Sequence, residues 1–135
     1  MKTPFLNDML SIVGQAFNNV YPGKNVEVYW NLSIPQPEEG HVCGVTSFCE
    51  DQYGNEFAVI DIDPTLRVVD AVEVLAHEFA HVAAGKRIDH GDEWAAAYDA
   101  IHAEYDRIMC EMFPDVESIT VKSGKDYVDD EREGR

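Results

Sequence analysis

Apolar residues recur at helical spacing at Phe5, Leu6, Met9, Leu10, Val13, Ala16, Phe17 and Val20, so the first predicted element is an amphipathic helix. Thr3 and Pro4 supply its start signal, a capping hydroxyl ahead of a proline whose missing N–H is not needed in a first turn. Tyr21-Pro22-Gly23 ends the run. From Val26 the period shortens to two, with Val28, Trp30 and Leu32 alternating with their neighbours as in a half-buried strand. The proline-bearing stretch 34–39 reads as a loop. Two further strands are predicted over 42–50 and 56–62, joined by Asp51-Gln52-Tyr53-Gly54-Asn55, whose polar and glycine content suits a hairpin turn. Together these make a small, mainly antiparallel three-stranded sheet.

After Asp63-Pro64 the period becomes helical again. Val68, Val69, Val72, Leu75, Ala76, Phe79, Ala80 and Ala83 form one apolar stripe, and Gly85 follows as a residue able to close the helix. Trp94, Ala97, Tyr98, Ile101, Tyr105, Ile108, Met109 and Met112 form a second long stripe that Pro114 stops and that is expected to pack on the first. A short strand is conceivable over 118–122. From Ser123 glycine, lysine and acids predominate, so 115–135 is expected to be an acidic, mobile tail behind a single domain over 1–114. The predicted fold class is α+β, with no internal repeat.

A chain of 135 residues that is 45% hydrophobic has the length for one core and not for two. No apolar run approaches the roughly 20 residues that span a bilayer, and no secretory leader is visible, so a soluble, cytoplasmic protein is expected. Cys43, Cys49 and Cys110 form no C-x-x-C pair and are expected to be reduced, mostly buried thiols. The net charge is −16, and it is not a tail effect: residues 115–135 hold seven acids and four bases, which leaves 19 acids against six bases in the body. Lys86-Arg87 is the body's one adjacent basic pair, which makes nucleic acid a poor partner. Such acidity ordinarily serves solubility, and more sharply it disposes a cleft to accept a basic peptide or protein segment. Oligomeric state is not legible.

The candidate chemistry lies in His77-Glu78-Phe79-Ala80-His81. On a helix, positions 77 and 81 project from one face and their ring nitrogens can converge on one ion, while Glu78 is offset by about 100°. His90 follows after eight intervening residues that begin just ahead of Gly85, so the chain can turn back and bring a third imidazole to the pair. Three histidines and an open position are what a catalytic zinc uses, with bound water brought to a pKa of roughly 7 and a glutamate to accept its proton.

The stretch from Val74 to His81, followed by His90-Gly91-Asp92-Glu93-Trp94, resembles the SprT-like zinc metallopeptidases. Ile60-Asp61-Ile62-Asp63-Pro64 is similar to the corresponding strand end in small phage-encoded members, which would place the chain in a host cytoplasm. The resemblance spans roughly 57–113 and implies a zincin-like metallopeptidase core, Zn2+ held by His77, His81 and His90, Glu78 as catalytic base, and a peptide or protein substrate. Larger members carry a cysteine-rich zinc ribbon or DNA-binding segments after the core. Neither pattern occurs in this sequence, so a role in DNA–protein crosslink repair is not expected.

Each candidate has a plainer reading beside it. His77 and His81 could be a structural pair without metal, although two imidazoles beside a glutamate would then need other partners. His90 could be a surface residue, with Glu93 or Glu104 as substitute ligand. His41 and His102 have no partner spacing and read as surface or locally hydrogen-bonded. Asp70 and Glu73 precede His77 by seven and four positions and read as solvated charges, or else as carboxylates orienting a ligand imidazole. Asp89 and Asp92 are similarly placed beside His90. Trp94 reads as a core anchor that also holds the His90 loop. Tyr98 and Tyr105 are candidate oxyanion donors with core packing as their default. The strand over 56–62 is expected to border the cleft and to pair with an extended substrate. The alternative function is a non-catalytic, zinc-stabilised module that binds a basic partner, and a non-peptide amide is a third possible target.

Overall fold

The computed structural model describes residues 1–5, 8–85 and 90–113. The elements are α1 (Met9–Val20), β1 (Val26–Trp30), β2 (Gly44–Glu50), β3 (Glu56–Ile62), α2 (Val68–Ala84) and α3 (Asp92–Met112), an α+β arrangement. The expected acidic tail 115–135, the stop at Pro114 and the strand over 118–122 lie outside the described residues. Among the described residues no helix is long and apolar enough to cross a membrane.

The first helix begins later than Thr3-Pro4 suggests. Asp8 is its N-cap, accepting from the Ser11 backbone N–H at 2.9 Å while the Ser11 hydroxyl bonds back to the Asp8 backbone. Near the start of the chain the Lys2 N–H donates to the Val26 carbonyl and the Val28 N–H to the Lys2 carbonyl, so Lys2 lies along β1. Tertiary pairing thus takes the segment that a local start signal assigns to a helix.

The sheet has the order β1-β3-β2, with β1 and β3 parallel and β2 and β3 antiparallel. It is therefore mixed rather than mainly antiparallel. The cause is the long connection between β1 and β2, where the Gln36 side chain accepts from the Val42 N–H at 2.8 Å and donates to the Val42 carbonyl at 3.0 Å. No tight turn holds β2 beside β1, and β3, with Ala58, Ile60 and Ile62 almost fully buried, takes the centre. The more polar β2 becomes an edge. The β2–β3 hairpin turns at the anticipated residues, where Asp51 Oδ1 accepts from the Tyr53 and Asn55 N–H groups and Gly54 adopts φ 82°. Those hydrogen bonds hold the Asp51 carboxyl below its ordinary range.

Centring β3 corrects the idea that it pairs with an extended ligand. Both of its hydrogen-bonding edges are taken, one by β1 and one by β2.

The helix α2 packs on β2 and β3, and α1 and α3 pack on α2 and on each other. Every residue from Ala71 to Ala80 is buried, so α2 is enclosed on all sides through its middle rather than along one stripe, while Val68 and Val69 in its first turn are exposed. Phe17 of α1 stacks on Phe79 of α2 with ring centroids 4.4 Å apart. Burying a side chain such as Phe79 or Leu75 contributes roughly 1.5–3 kcal/mol. An exposed ion pair such as Arg67 with Asp70 contributes about 0.2–1 kcal/mol, so apolar packing is what fixes these helices. Gly85, at φ 100°, ends α2 and donates its N–H to the His81 carbonyl.

Candidate metal centre

The enclosure of α2 places three polar side chains, Glu73, His77 and Glu78, in an otherwise apolar interior. His77 is 1% exposed, His81 half-buried and His90, just before α3, exposed. Their Nε2 atoms point at one another: His81 lies 3.0 Å from His90 and His90 lies 3.1 Å from His77. A neutral imidazole has one donor and one acceptor nitrogen, so a single Nε2 near two others cannot satisfy both by hydrogen bonding. Three lone pairs facing one point suit a cation. Tetrahedral zinc with Zn–N of about 2.0–2.1 Å sets its ligand nitrogens roughly 3.3 Å apart, close to the observed spacing. Among the described residues this is the one group of three or more histidines, cysteines or acids that could share an ion. The donor set fits.

Glu78 is 3% exposed and reaches the other neighbour of α2, the strand β2. The Thr46 hydroxyl donates to its Oε1 at 2.8 Å and lies 3.3 Å from its backbone carbonyl oxygen. The strand comes this close because Gly44 has no side chain: a Cβ there would sit 2.6 Å from Val74 Cγ1 and 3.2 Å from Glu78 Oε2. Val74 is fully buried and β-branched, so it has little room to yield. Gly44→Ala is expected to lower stability by about 1–3 kcal/mol, as overpacking does. A urea unfolding midpoint equal to wild type would show that β2 can step back from Glu78. Neither Gly44 nor Thr46 is marked out by spacing from the histidines along the chain. A glycine inside a predicted strand was the available signal, since it marks a close backbone approach.

Trp94 links the centre to α3. Its ring centroid is 4.8 Å from those of His77 and His90 and 5.8 Å from that of His81, and its indole N–H donates to the His77 carbonyl at 3.2 Å. Tyr98, one turn on, stacks on Trp94 at 5.2 Å and donates its hydroxyl to Glu73 Oε2 at 2.5 Å. His102 Nε2 is 2.9 Å from the same oxygen. Glu73 is thus a buried, hydrogen-bonded carboxylate rather than a solvated charge, and His102 is tied to α2. Tyr98 and Tyr105 follow their default as core residues. Burial, with the charges of Asp106 and Glu73, pushes the Tyr105 phenol up to about 12.

Burial alone lowers the affinity of His102 for a proton, yet the Glu73 hydrogen bond and charge, with Asp106 and Asp99, leave its pKa raised above 6.5. A raised folded-state pKa gives stability that is fully present below the unfolded value and is lost as pH rises through the folded one. In metal-free protein, the stability advantage of wild type over His102→Gln is therefore expected to shrink as pH rises above about 6.5. Urea midpoints across that range check it, and a constant difference would contradict it.

The remaining candidates lie elsewhere. Glu104 is bonded to Arg107 and Asn19, which bring its carboxyl down to about 2, and Glu93 is exposed in the first turn of α3. Neither replaces His90. Asp70 pairs with Arg67, His41 lies 3.1 Å from Asp63, Asp92 is exposed, and Asp89 lies outside the described residues. Cys43 and Cys49 are half-buried, whereas Cys110 is exposed where a buried thiol was expected. No family model, curated protein or solved structure matches this chain, and the chemistry of the centre follows from its own residues.

Proposed function

We propose that this chain is a zinc-dependent peptidase of zincin-like architecture in which His77, His81 and His90 hold the ion and Glu78 is the general base. The observation that carries the reading is the convergence of the three Nε2 atoms at 3.0–3.1 Å beside a buried glutamate on the same helix. His77, His81 and His90 would hold a zinc ion there, which would supply Lewis acidity toward a water and the scissile carbonyl. Glu78 takes the proton of the attacking water and delivers one to the leaving amine. The Thr46 hydroxyl, by donating to Oε1, fixes the carboxylate's rotamer. A purely structural site has no use for a base and is usually closed by a fourth protein ligand, which favours the enzyme over the non-catalytic binding module.

The place of an extended substrate falls to β2. It is an edge strand, its outer side has no strand partner among the described residues, whereas the other edge, β1, is bridged by Lys2, and Thr46 ties β2 to Glu78. A peptide laid along that edge has its backbone amides satisfied by the sheet and runs past the histidines. With 26 acidic against 10 basic side chains in the chain, a basic peptide segment is the preferred substrate. The test is a proteome-wide comparison of new chain termini made by wild type and by Glu78→Gln. Termini produced by wild type alone, enriched in lysine or arginine nearby, are expected; identical sets from both proteins would end the peptidase reading.

A further inference from the structure

Glu73 has no part in the chemistry above, yet it is 1% exposed in the most enclosed stretch of the molecule. A buried carboxylate carries a desolvation penalty of several kcal/mol, and apolar replacements of buried polar groups are often neutral or stabilising. A leucine would fill this place, so the carboxylate contributes something other than volume. What it contributes is a directional link between two helices. One oxygen, Oε2, receives both the Tyr98 hydroxyl at 2.5 Å and His102 Nε2 at 2.9 Å, each from α3. Tyr98 in turn stacks on Trp94 with an interplanar angle of 15°, and Trp94 touches all three imidazoles and donates to the His77 carbonyl.

The three ligands are not equally secured. His77 and His81 are fixed one turn apart on a helix that the core encloses. His90 is exposed and immediately precedes α3, so its position depends on where the start of that helix lies. The contact that locates that start is Trp94, and Trp94 is seated by Tyr98.

We propose that Glu73 is a positioning residue for metal capture: with Tyr98 and His102 it locks the rotation and height of α3 against α2, and through Trp94 holds His90 in register with His77 and His81. The inference needs the three histidines to hold a cation and does not need the chain to cleave peptides. Glutamine at 73 keeps an acceptor oxygen for Tyr98, whereas leucine keeps the volume and loses the acceptor.

The experiment is Zn2+ affinity, measured by competition with a chromophoric chelator, for wild type, Glu73→Gln, Glu73→Leu and Tyr98→Phe, with urea midpoints of the metal-free proteins alongside. Glu73→Leu is expected to unfold at a lower urea midpoint, because the Tyr98 hydroxyl and His102 lose their buried acceptor, and the folded protein is expected to bind zinc about 10–100-fold more weakly, the usual effect of losing an outer partner of a metal site. Glu73→Gln is expected to restore affinity to near wild type. The visible bands of the Co2+-loaded protein should change shape in Glu73→Leu and not in Glu73→Gln. Should Glu73→Leu not fold, Tyr98→Phe serves in its place: it keeps the stack on Trp94, loses the donor and is expected to weaken binding several-fold. Wild-type zinc affinity and an unaltered Co2+ spectrum in Glu73→Leu, or in Tyr98→Phe where the leucine variant does not fold, overturn the proposal, as does equal weakening by glutamine and leucine.

Discussion

Glu78→Gln is expected to reduce peptide cleavage by about 10²–10⁴-fold, the usual contribution of a general base, while zinc remains bound. The substitution is close to isosteric in a site where Glu78 is 3% exposed, so packing under β2 is preserved. The amide oxygen can still accept from Thr46, so the loop of contacts from β2 to α2 is kept. Glu78 is not among the three converging ring nitrogens, so the ion's protein ligands are unchanged. What is lost is the ability to take a proton. The measurement is the rate on a peptide returned by the terminome comparison, with zinc content determined on the same sample. Undiminished cleavage at full zinc occupancy would remove Glu78 as base, and a loss of zinc together with rate would make it a structural support instead.

The second large effect concerns His90. Because this side chain is exposed, His90→Ala leaves no cavity and should fold as well as wild type in the absence of metal. Zinc affinity should nevertheless fall by more than the roughly 10–100-fold that losing an outer partner costs, because a direct ligand is gone. The stability added by metal falls with it. Binding to the native state at a hundred times the dissociation constant adds about 2.7 kcal/mol, which for a chain of this size raises Tm by about 10 °C. Wild type should show that rise on adding zinc, and His90→Ala should show little of it at the same concentration. His41→Ala, which removes an imidazole bonded to Asp63 and not among the converging three, should behave as wild type. A zinc-induced rise of the same size in His90→Ala would place the third ligand elsewhere.

How much of this was legible in the chain depended on the range of the interaction involved. The hairpin at Asp51 to Asn55 and the existence of α2 and α3 are local patterns, and they agree with the structure, whereas the burial of α2 on all sides through its middle was not evident from its stripe. So does the approach of His77 to His81, which helix geometry dictates once a helix is granted. His90 was reachable because Gly85 offered a helix end between it and the pair. Sheet order was not legible: whether β3 lies beside β1 is decided by which strand can be covered on both sides, and that depends on helices yet to be placed. Thr3-Pro4 is a local start signal that places the start of α1 too early, whereas the pairing of Lys2 with β1 moves the N-cap to Asp8.

Glu73 and Thr46 were hidden for a different reason. A glutamate four positions before a histidine looks like a surface residue, and its burial is intelligible only once Tyr98 and His102, 25 and 29 positions away, are brought to it. The Thr46 bond to Glu78 joins residues 32 positions apart. Spacing along the chain identifies ligands that share a helix; it does not reveal the side chains from other elements that orient them.

The most direct test of the metal centre is zinc titration of metal-free wild-type protein followed by X-ray absorption at the zinc edge. The expected result is one ion per chain in a shell of three imidazole nitrogens and one oxygen at about 2.0–2.1 Å. A chain that takes up no zinc, or a shell in which a fourth protein ligand replaces the oxygen or the His90 ring is missing, would contradict a catalytic zinc held by His77, His81 and His90.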